Sequence, residues 1–409
     1  MDKLNNKSVL LSTYINTVNN ETYALCGPVQ NFMGYLCQRF SDVYMISQPM
    51  PGETDLTPTL NLYRGGKLLW TKRMPKFLQV LYWVNPRKVT SSQTVIRLKI
   101  RDFISNFYFI LFCISHKLDL FIGVESINAL SAILLKRMGY IRTVLYFSND
   151  YHPKRYAWLK NWVFLKMDEI AACKGDYIWM MNPKIHESRM ERGLEVPKLA
   201  PHFIIHGGLP FFPGGPVPLH ERERYRIVYA TRAAHQGLQI VLKAFSAVQK
   251  KHHDSKLYIT GHADKEESKI RPLIEELKIS GNVIFTGFIK EDELNHLVKN
   301  SYIGLAIWSR NASDPATYGD PEKIRRYFHF GLPVLSTANA FTAETIKKHG
   351  AGMVVDDKVE SVTKAIMELF EDEILYSKCA KASQDLGQHF KENNLIDESI
   401  NDLHQRKML

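Results

Sequence analysis

The sequence predicts an α/β protein of two doubly wound, Rossmann-like domains facing each other across a cleft. Three observations predict it. Short apolar runs alternate with amphipathic helical patterns along most of the chain. The alternation stops at residues 206–223, "HGGLPFFPGGPVPLHERE", and then starts again. A chain of 409 residues also exceeds what one core usually serves. Strands alternating with helices of this length form parallel sheets through right-handed crossovers.

In chain order, "SVLLSTYI" reads as a strand, and "GPVQNFMGYLCQRF" after it has helical apolar spacing. "DLFIGVES" is a strand followed by the helix "INALSAILLKRMG", closed by Gly139. "RTVLYFSND" and "DYIWMMN" are two further strands. The glycines and prolines of 206–223 sustain neither a helix nor a central strand, so this stretch is the linker. Beyond it come "RIVYATRA", "GLQIVLKAFSAVQKKH", "KLYITG", "ESKIRPLIEELKISG", "NVIFTGFI", "EDELNHLVKNS" and "YIGLAIW", again strand and helix in turn. The expected domains are therefore 1–205 and 224–385, with a helical tail at 386–409 packing back on the first. Ligands of such folds bind beyond the carboxyl ends of the strands.

Charge divides unevenly. Residues 1–205 hold 26 Lys and Arg against 15 Asp and Glu, and the remainder holds 27 of each. From Arg64 to Arg101 there are ten basic residues and no acidic one, with aromatics between them. This segment is expected to attract an anionic membrane face or another polyanion, a solvated basic loop being the alternative. No recognised nucleic-acid module accompanies it, which argues against nucleic acid. The five cysteines have no CxxC spacing, which fits a reducing compartment and no zinc site. "MDKLNNKSVLLSTYI" lacks a signal-peptide core, and "FYFILFCI" is too short to cross a bilayer. The expectation is a cytoplasmic protein, peripheral at the inner face of the cell membrane. No cofactor and no metal are expected, since no Asp-x-Asp pair is present.

"YGDPEKIRRYFHFGLPVLSTANA", residues 318–340, reads as a capped helix with Asp320-Pro321 at its mouth, a stop at Gly331 and a buried strand from Pro333. Lys323 in the first turn adds a full charge to a helix end that already attracts phosphate. In the first domain, Glu125 ends one strand, and Asn149, Asp150 and His152 follow another. Each of Glu125, Asp150 and His152 is a candidate base or hydroxyl anchor, Asp150 being preferred to His152 because a carboxylate needs no tuned pKa.

The order "ATRAAHQGLQIVLKAF", "LYITGHA", "VIFTGFIKEDELNHLVKNSYIGLAI", "DPEKIRRYFHFGLPVLS", "ETIKKHGAGMVVDD" resembles the nucleotide-sugar domain of GT-B glycosyltransferases, those similar to family four, over about residues 224–385. The resemblance implies transfer of a sugar from a UDP- or GDP-sugar to an acceptor hydroxyl, with retention of configuration, without a metal. The acceptor implied is a saccharide or lipid-linked saccharide of cell-surface polysaccharide or lipopolysaccharide synthesis. It implies diphosphate contacts from Arg232, Lys323 and the loop at Gly27. Nucleoside and sugar contacts would come from Tyr318, Asp320, Glu322 and Gly261. Two departures stand out. Gln236 precedes Gly237 where the family has lysine, and Tyr318 and Arg326 occupy the positions of its paired glutamates. Asp314, Asp320 and Glu322 are the carboxylates available instead. The competing readings are a sugar-nucleotide epimerase and a catalytically degenerate subunit of another transferase.

Overall fold

The computed structural model describes residues 4–18, 21–24, 27–50, 53, 55–78, 92–149, 151–205, 212, 214–231, 237–261, 264–309, 317–319, 321–338, 341–392 and 395–409. The chain divides into two compact units, one made of Met1–Leu209 with Leu395–Leu409 and the other of Pro210–Asn394.

The first unit contains β1 (Leu4–Val18), β2 (Glu21–Ala24), α1 (Gly27–Arg39), β3 (Phe40–Pro49), β4 (Thr59–Arg64), β5 (Lys67–Arg73) and α2 (Ser92–Cys113). It continues with β6 (Leu118–Val124), α3 (Ser126–Arg137), β7 (Ile141–Ser148), α4 (Trp158–Lys174), β8 (Tyr177–Met180), α5 (Pro183–Glu191) and β9 (His202–Ile204). The strands lie in the order β5-β4-β3-β1-β6-β7-β8-β9, with β2 paired antiparallel to β1. From β3 to β9 the ladder is parallel; Leu10 of β1 stands between Tyr44 of β3 and Phe121 of β6. Val9, Leu10 and Leu11 are all fully buried, as expected of a central strand covered on both faces.

Among its described residues the basic segment 64–101 is not a solvated loop. They form the end of β4, the antiparallel strand β5 and the start of α2, and several of their charges are paired. Arg64 meets Asp42 at 2.7 Å, Arg73 meets Asp55, and the buried Arg101 meets Asp102 at 2.6 Å. The partners come from outside the segment or from the residue just after it, so a count of charges along the chain overstated the free ones. Lys67 and Lys72 remain exposed on the edge strand β5, where charge discourages pairing with other chains. Residues 79–91 lie outside the described part.

The second unit contains β10 (Arg226–Ala230), α6 (Leu238–Gln249), β11 (Lys256–Thr260), α7 (Asp264–Glu276), β12 (Val283–Gly287), α8 (Glu291–Lys299) and β13 (Ile303–Ala306). After these come α9 (Glu322–His329), β14 (Val334–Thr337), α10 (Thr342–His349), β15 (Gly352–Val355), α11 (Val359–Glu371) and α12 (Glu373–Glu392). All pairings are parallel, in the order β12-β11-β10-β13-β14-β15. Ile227 and Tyr229 of β10 enter one apolar cluster and Val228 the opposite one, so the strand is buried on both faces.

The tail divides differently from the sequence expectation. Residues 386–392 belong to α12, where Leu386 is buried in the second unit and Phe390 stacks on Phe328 at 6.2 Å. The return begins with α13 (Leu395–Gln405), which buries Ile396, Ile400 and Leu403 in the first unit. Asp397 accepts from Tyr35 at 2.6 Å and pairs with Arg39 at 2.8 Å; Ser399 accepts from the indole of Trp179, and Asp402 from Tyr177 at 2.6 Å. Among the described residues no helix is long and apolar enough to cross a membrane.

Candidate active site

In each sheet the strand order reverses at one place, and there the loops diverge to leave room beyond the strand ends. In the second unit this place lies between β10 and β13. The strand ends are laced together. Tyr229 Oη donates to the Ile307 carbonyl at 2.8 Å, Thr231 N–H to Thr260 at 3.1 Å, and Trp308 N–H to Thr337 Oγ1 at 3.0 Å. Tyr327 of α9 accepts from Ala230 N–H at 3.1 Å and donates to Leu305, bridging the two strands from one face.

Two helix starts converge on these ends. Gly237 caps α6 with φ of 82°, and a Cβ there would stand 2.7 Å from the Ile307 carbonyl. Only glycine lets α6 begin so close to the exit of β13. Gly237→Ala should therefore destabilise the protein by about 1–3 kcal/mol, and denaturant unfolding would measure it. The second helix is α9. Its first residue is Glu322, with Pro321 at ψ of 113° standing just outside as the N-cap, one position later than the sequence suggested. Its end is as expected: Gly331 has φ of 68°, and Leu332 N–H returns to the Tyr327 carbonyl at 2.8 Å.

Lys323, in the first turn of α9, carries its ammonium 5.0 Å from the Trp308 ring and 5.3 Å from the Tyr229 ring. Two electron-rich faces thus steady the cation over the point where the strand order reverses. Both rings escaped sequence reasoning, which took Tyr229 and Trp308 only as strand residues; their position at two adjacent strand ends was the available signal.

Glu322 is occupied. Arg326, buried, reaches Glu322 at 2.8 Å and Glu291 at 2.6 Å, and lies 4.3 Å over Phe212. Burial works against the charge of Arg326, and the two carboxylates outweigh it and raise its pKa. Tyr318 is half-buried in the turn before α9. Gly261 follows directly on β11, next to β10, and its N–H donates to the Gly287 carbonyl at 2.8 Å. Arg232, Gln236, Asp314 and Asp320 lie outside the described residues.

In the first unit the reversal lies between β1 and β6. Here Lys99 of α2 donates to Tyr14 Oη at 2.6 Å, stands 4.3 Å over the same ring and lies 3.8 Å from Asp102. Burial pushes the Tyr14 phenol up, with Asp102 and Glu125 acting in the same direction. Burial lowers the Lys99 pKa, and the same two carboxylates oppose it. Glu125 is therefore within electrostatic reach of both. Beneath them, Gln48 Nε2 donates to Asn128 at 3.0 Å, and Asn106 donates to Asn128 and Ser131 at 2.9 and 2.8 Å. This polar network holds α2 and α3 against the strand ends.

Glu125 itself has φ of 71° and ψ of 157°, a region used almost only by glycine, and caps α3 through its backbone. His152 is buried, and its Nδ1 accepts the Lys154 N–H at 3.0 Å, which puts the proton of the neutral ring on Nε2. Asn149 is half-buried just past β7, and Asp150 lies outside the described residues. Gly27 is the first residue of α1. Tyr14, Lys99 and Asp102 were missed in the sequence, where Lys99 counted only as one charge in a basic run. Among the described residues no group of three or more His, Cys, Asp or Glu could hold a metal.

Chemically, the second unit offers a fixed cation and two helix starts, suited to a diphosphate. The first offers a carboxylate, a phenol and an ammonium, suited to orienting a polyol.

Residues 216–386 match the family model described as glycosyl transferases group 1. A search of curated proteins found no match. Among solved structures the chain is similar to sucrose-phosphate synthase from Thermosynechococcus elongatus at 13% identity, covering 98% of each chain with a TM-score of 0.67. It is also similar to the UDP-forming α,α-trehalose-phosphate synthase of Burkholderia xenovorans at 14% identity, over 97% of this chain and 98% of that one, TM-score 0.64. A third is Anabaena Alr3699/HepE in complex with UDP and glucose, at 11% identity over 98% of this chain and 100% of that one, TM-score 0.62. At such identities the likeness shows the fold, that of two parallel-sheet α/β domains as in GT-B glycosyltransferases. Residues 216–386, most of the second unit, match glycosyl transferases group 1.

Proposed function

We propose that the second unit binds a nucleoside diphosphate sugar through Lys323, with UDP ahead of GDP as the nucleotide, and that the first unit binds a saccharide acceptor, free or lipid-linked, for cell-surface polysaccharide or lipopolysaccharide synthesis. The observation that carries the reading is the Lys323 ammonium held over Tyr229 and Trp308 where the strand order reverses. UDP is preferred because several similar structures were solved with it, that of Anabaena Alr3699/HepE among them. Lys323 and Arg232 would balance the charge that grows on the diphosphate as the glycosidic bond breaks. Gly27, Tyr318, Asp320 and Gly261 are proposed around the donor. Retention of configuration is the outcome that the family resemblance carries. In the first unit Glu125 is proposed as the carboxylate that orients the acceptor hydroxyl, with Asp150 and His152 beside it.

A thermal-shift screen against UDP, GDP, ADP, CMP and dTDP tests the donor half. A ligand at a hundredfold excess over its Kd adds about 2.7 kcal/mol of stability. One nucleotide should stabilise the protein, and Lys323→Ala and Arg232→Ala should each remove the shift; no shift with any nucleotide would overturn the reading. Glu125 has its own test. Glu125→Gly relieves a backbone strain of about 1–3 kcal/mol, so it should raise the unfolding midpoint while lowering transfer. A variant that loses both stability and transfer would mark Glu125 as structural only.

A second reading is favoured by Arg326. It stands at the position of a family glutamate and holds Glu322. A chain that binds the nucleotide but transfers nothing, as partner of another transferase, would keep the thermal shift and show no turnover of any UDP-sugar.

A further inference from the structure

We infer that the outer face of α4 is a docking surface for an anionic lipid bilayer, and that it, rather than segment 64–101, brings the first unit to a membrane. Trp158 is 88% exposed and Trp162 59% exposed, and Leu159 and Val163 beside them are exposed as well. Residues 159, 162, 163, 166 and 170 follow the i, i+3, i+4 spacing of one helix face, yet this face is turned outward. The opposite face buries Asp168, Ala171 and Ala172, so α4 is fully packed on its inner side and the apolar outer stripe is surplus to folding. The neighbouring α3 exposes Leu134 in addition, as does its C-cap residue Met138.

Charge decides the occupant. From Tyr151 to Lys166 there are four basic residues and no acidic one, and Lys154 and Lys160 are exposed. Lys166 is the exception, being paired with Glu169 at 2.7 Å. Tryptophan at the apolar edge with lysine around it matches the interface of a bilayer, where the indole sits at headgroup level and the ammonium meets lipid phosphate. A second copy docked symmetrically would bring the same positive charges face to face, which disfavours it. On segment 64–101 the charges of Arg64, Arg73 and Arg101 are already neutralised.

Co-sedimentation of the full chain with vesicles tests this without any donor or acceptor, so its failure and the failure of the nucleotide reading are separable. Vesicles of phosphatidylcholine mixed with phosphatidylglycerol should retain the protein, and phosphatidylcholine alone should retain much less. Trp158→Ser with Trp162→Ser should reduce partition by about tenfold or more. Lys154→Glu with Lys160→Glu should abolish the preference for phosphatidylglycerol, and Lys72→Glu with Lys76→Glu on the β5 side should change little. An unchanged unfolding midpoint in the tryptophan variant confirms that it is folded, as the exposure of both rings requires. The inference is overturned if the unaltered protein ignores anionic vesicles, if the tryptophan variant binds as well as it does, or if only the β5-side variant loses binding. A concentration-dependent dimer that the tryptophan variant abolishes would also overturn it, by assigning the face to a second copy.

Discussion

Lys323→Ala should lose the stabilisation by nucleotide and lower transfer by about 10²–10³-fold in kcat, the usual consequence of removing one preorganised group from a developing anion. The size of the effect follows from where the cation sits. Its ammonium is steadied by Trp308 and Tyr229, so it needs little ordering when a diphosphate arrives. Lys323→Met separates charge from bulk: it fills the space between the rings and removes only the ammonium. Methionine should therefore keep the unfolding midpoint of the free protein and still fail to respond to nucleotide. Lys323→Arg is not expected to restore full activity, because a planar fork cannot take the place of a compact ammonium between two rings. Steady-state transfer from a UDP-sugar is the measurement. Activity of the Lys323→Met variant within about twofold of the unaltered enzyme would sink the assignment, given that one charge-assisted contact to phosphate is ordinarily worth more.

Asp168→Ala carries the largest expected effect on stability. Arg189 of α5 is fully buried and donates to Asp168 of α4 through Nε at 3.0 Å and Nη2 at 2.6 Å, and to Ser148 at the end of β7 at 2.9 Å. Tyr146 donates to the same carboxylate at 2.7 Å. The pair thus ties two helices to one strand, and removing Asp168 strands a guanidinium without a counter-charge. Breaking a buried pair in this way costs about 3–5 kcal/mol, which for a unit of this size lowers the midpoint by on the order of 10 °C. Replacing both partners, as Asp168→Leu with Arg189→Met, should recover most of the loss, since two apolar side chains need no desolvation. Calorimetry on the single and double variants decides it. A single variant as stable as the parent would mean that water reaches the guanidinium.

The two parallel sheets were legible in the sequence because central strands there are buried on both faces and read as unbroken apolar runs, as in "RIVYA" and "DLFIGV". The antiparallel arm β4–β5 was not. Leu68 and Leu69 of β5 are exposed and Lys67, Lys72 and Arg73 flank them along an edge, so the apolar residues of that strand do not alternate and its charges dominated the reading. Lys323 was legible from the Asp-Pro-Glu-Lys start of a helix, since charge at a helix mouth is a local pattern. The rings that hold it were not, because Tyr229 and Trp308 are 79 positions apart and meet only through the pairing of β10 with β13. Tyr14 and Lys99 share that cause: they come from β1 and α2, and only the packing of α2 onto the sheet brings them together.

The docking of α13 also sets an order of events during synthesis. Residues 210–394 are contiguous, so the second unit has everything it needs as soon as they leave the ribosome. The first unit is begun earlier but waits for Ile396, Ile400 and Leu403, and until then Tyr35, Arg39, Tyr177 and Trp179 lack the partners that α13 supplies. The half of the chain translated first is thus completed last, and its uncovered face is what a chaperone would meet in the interval.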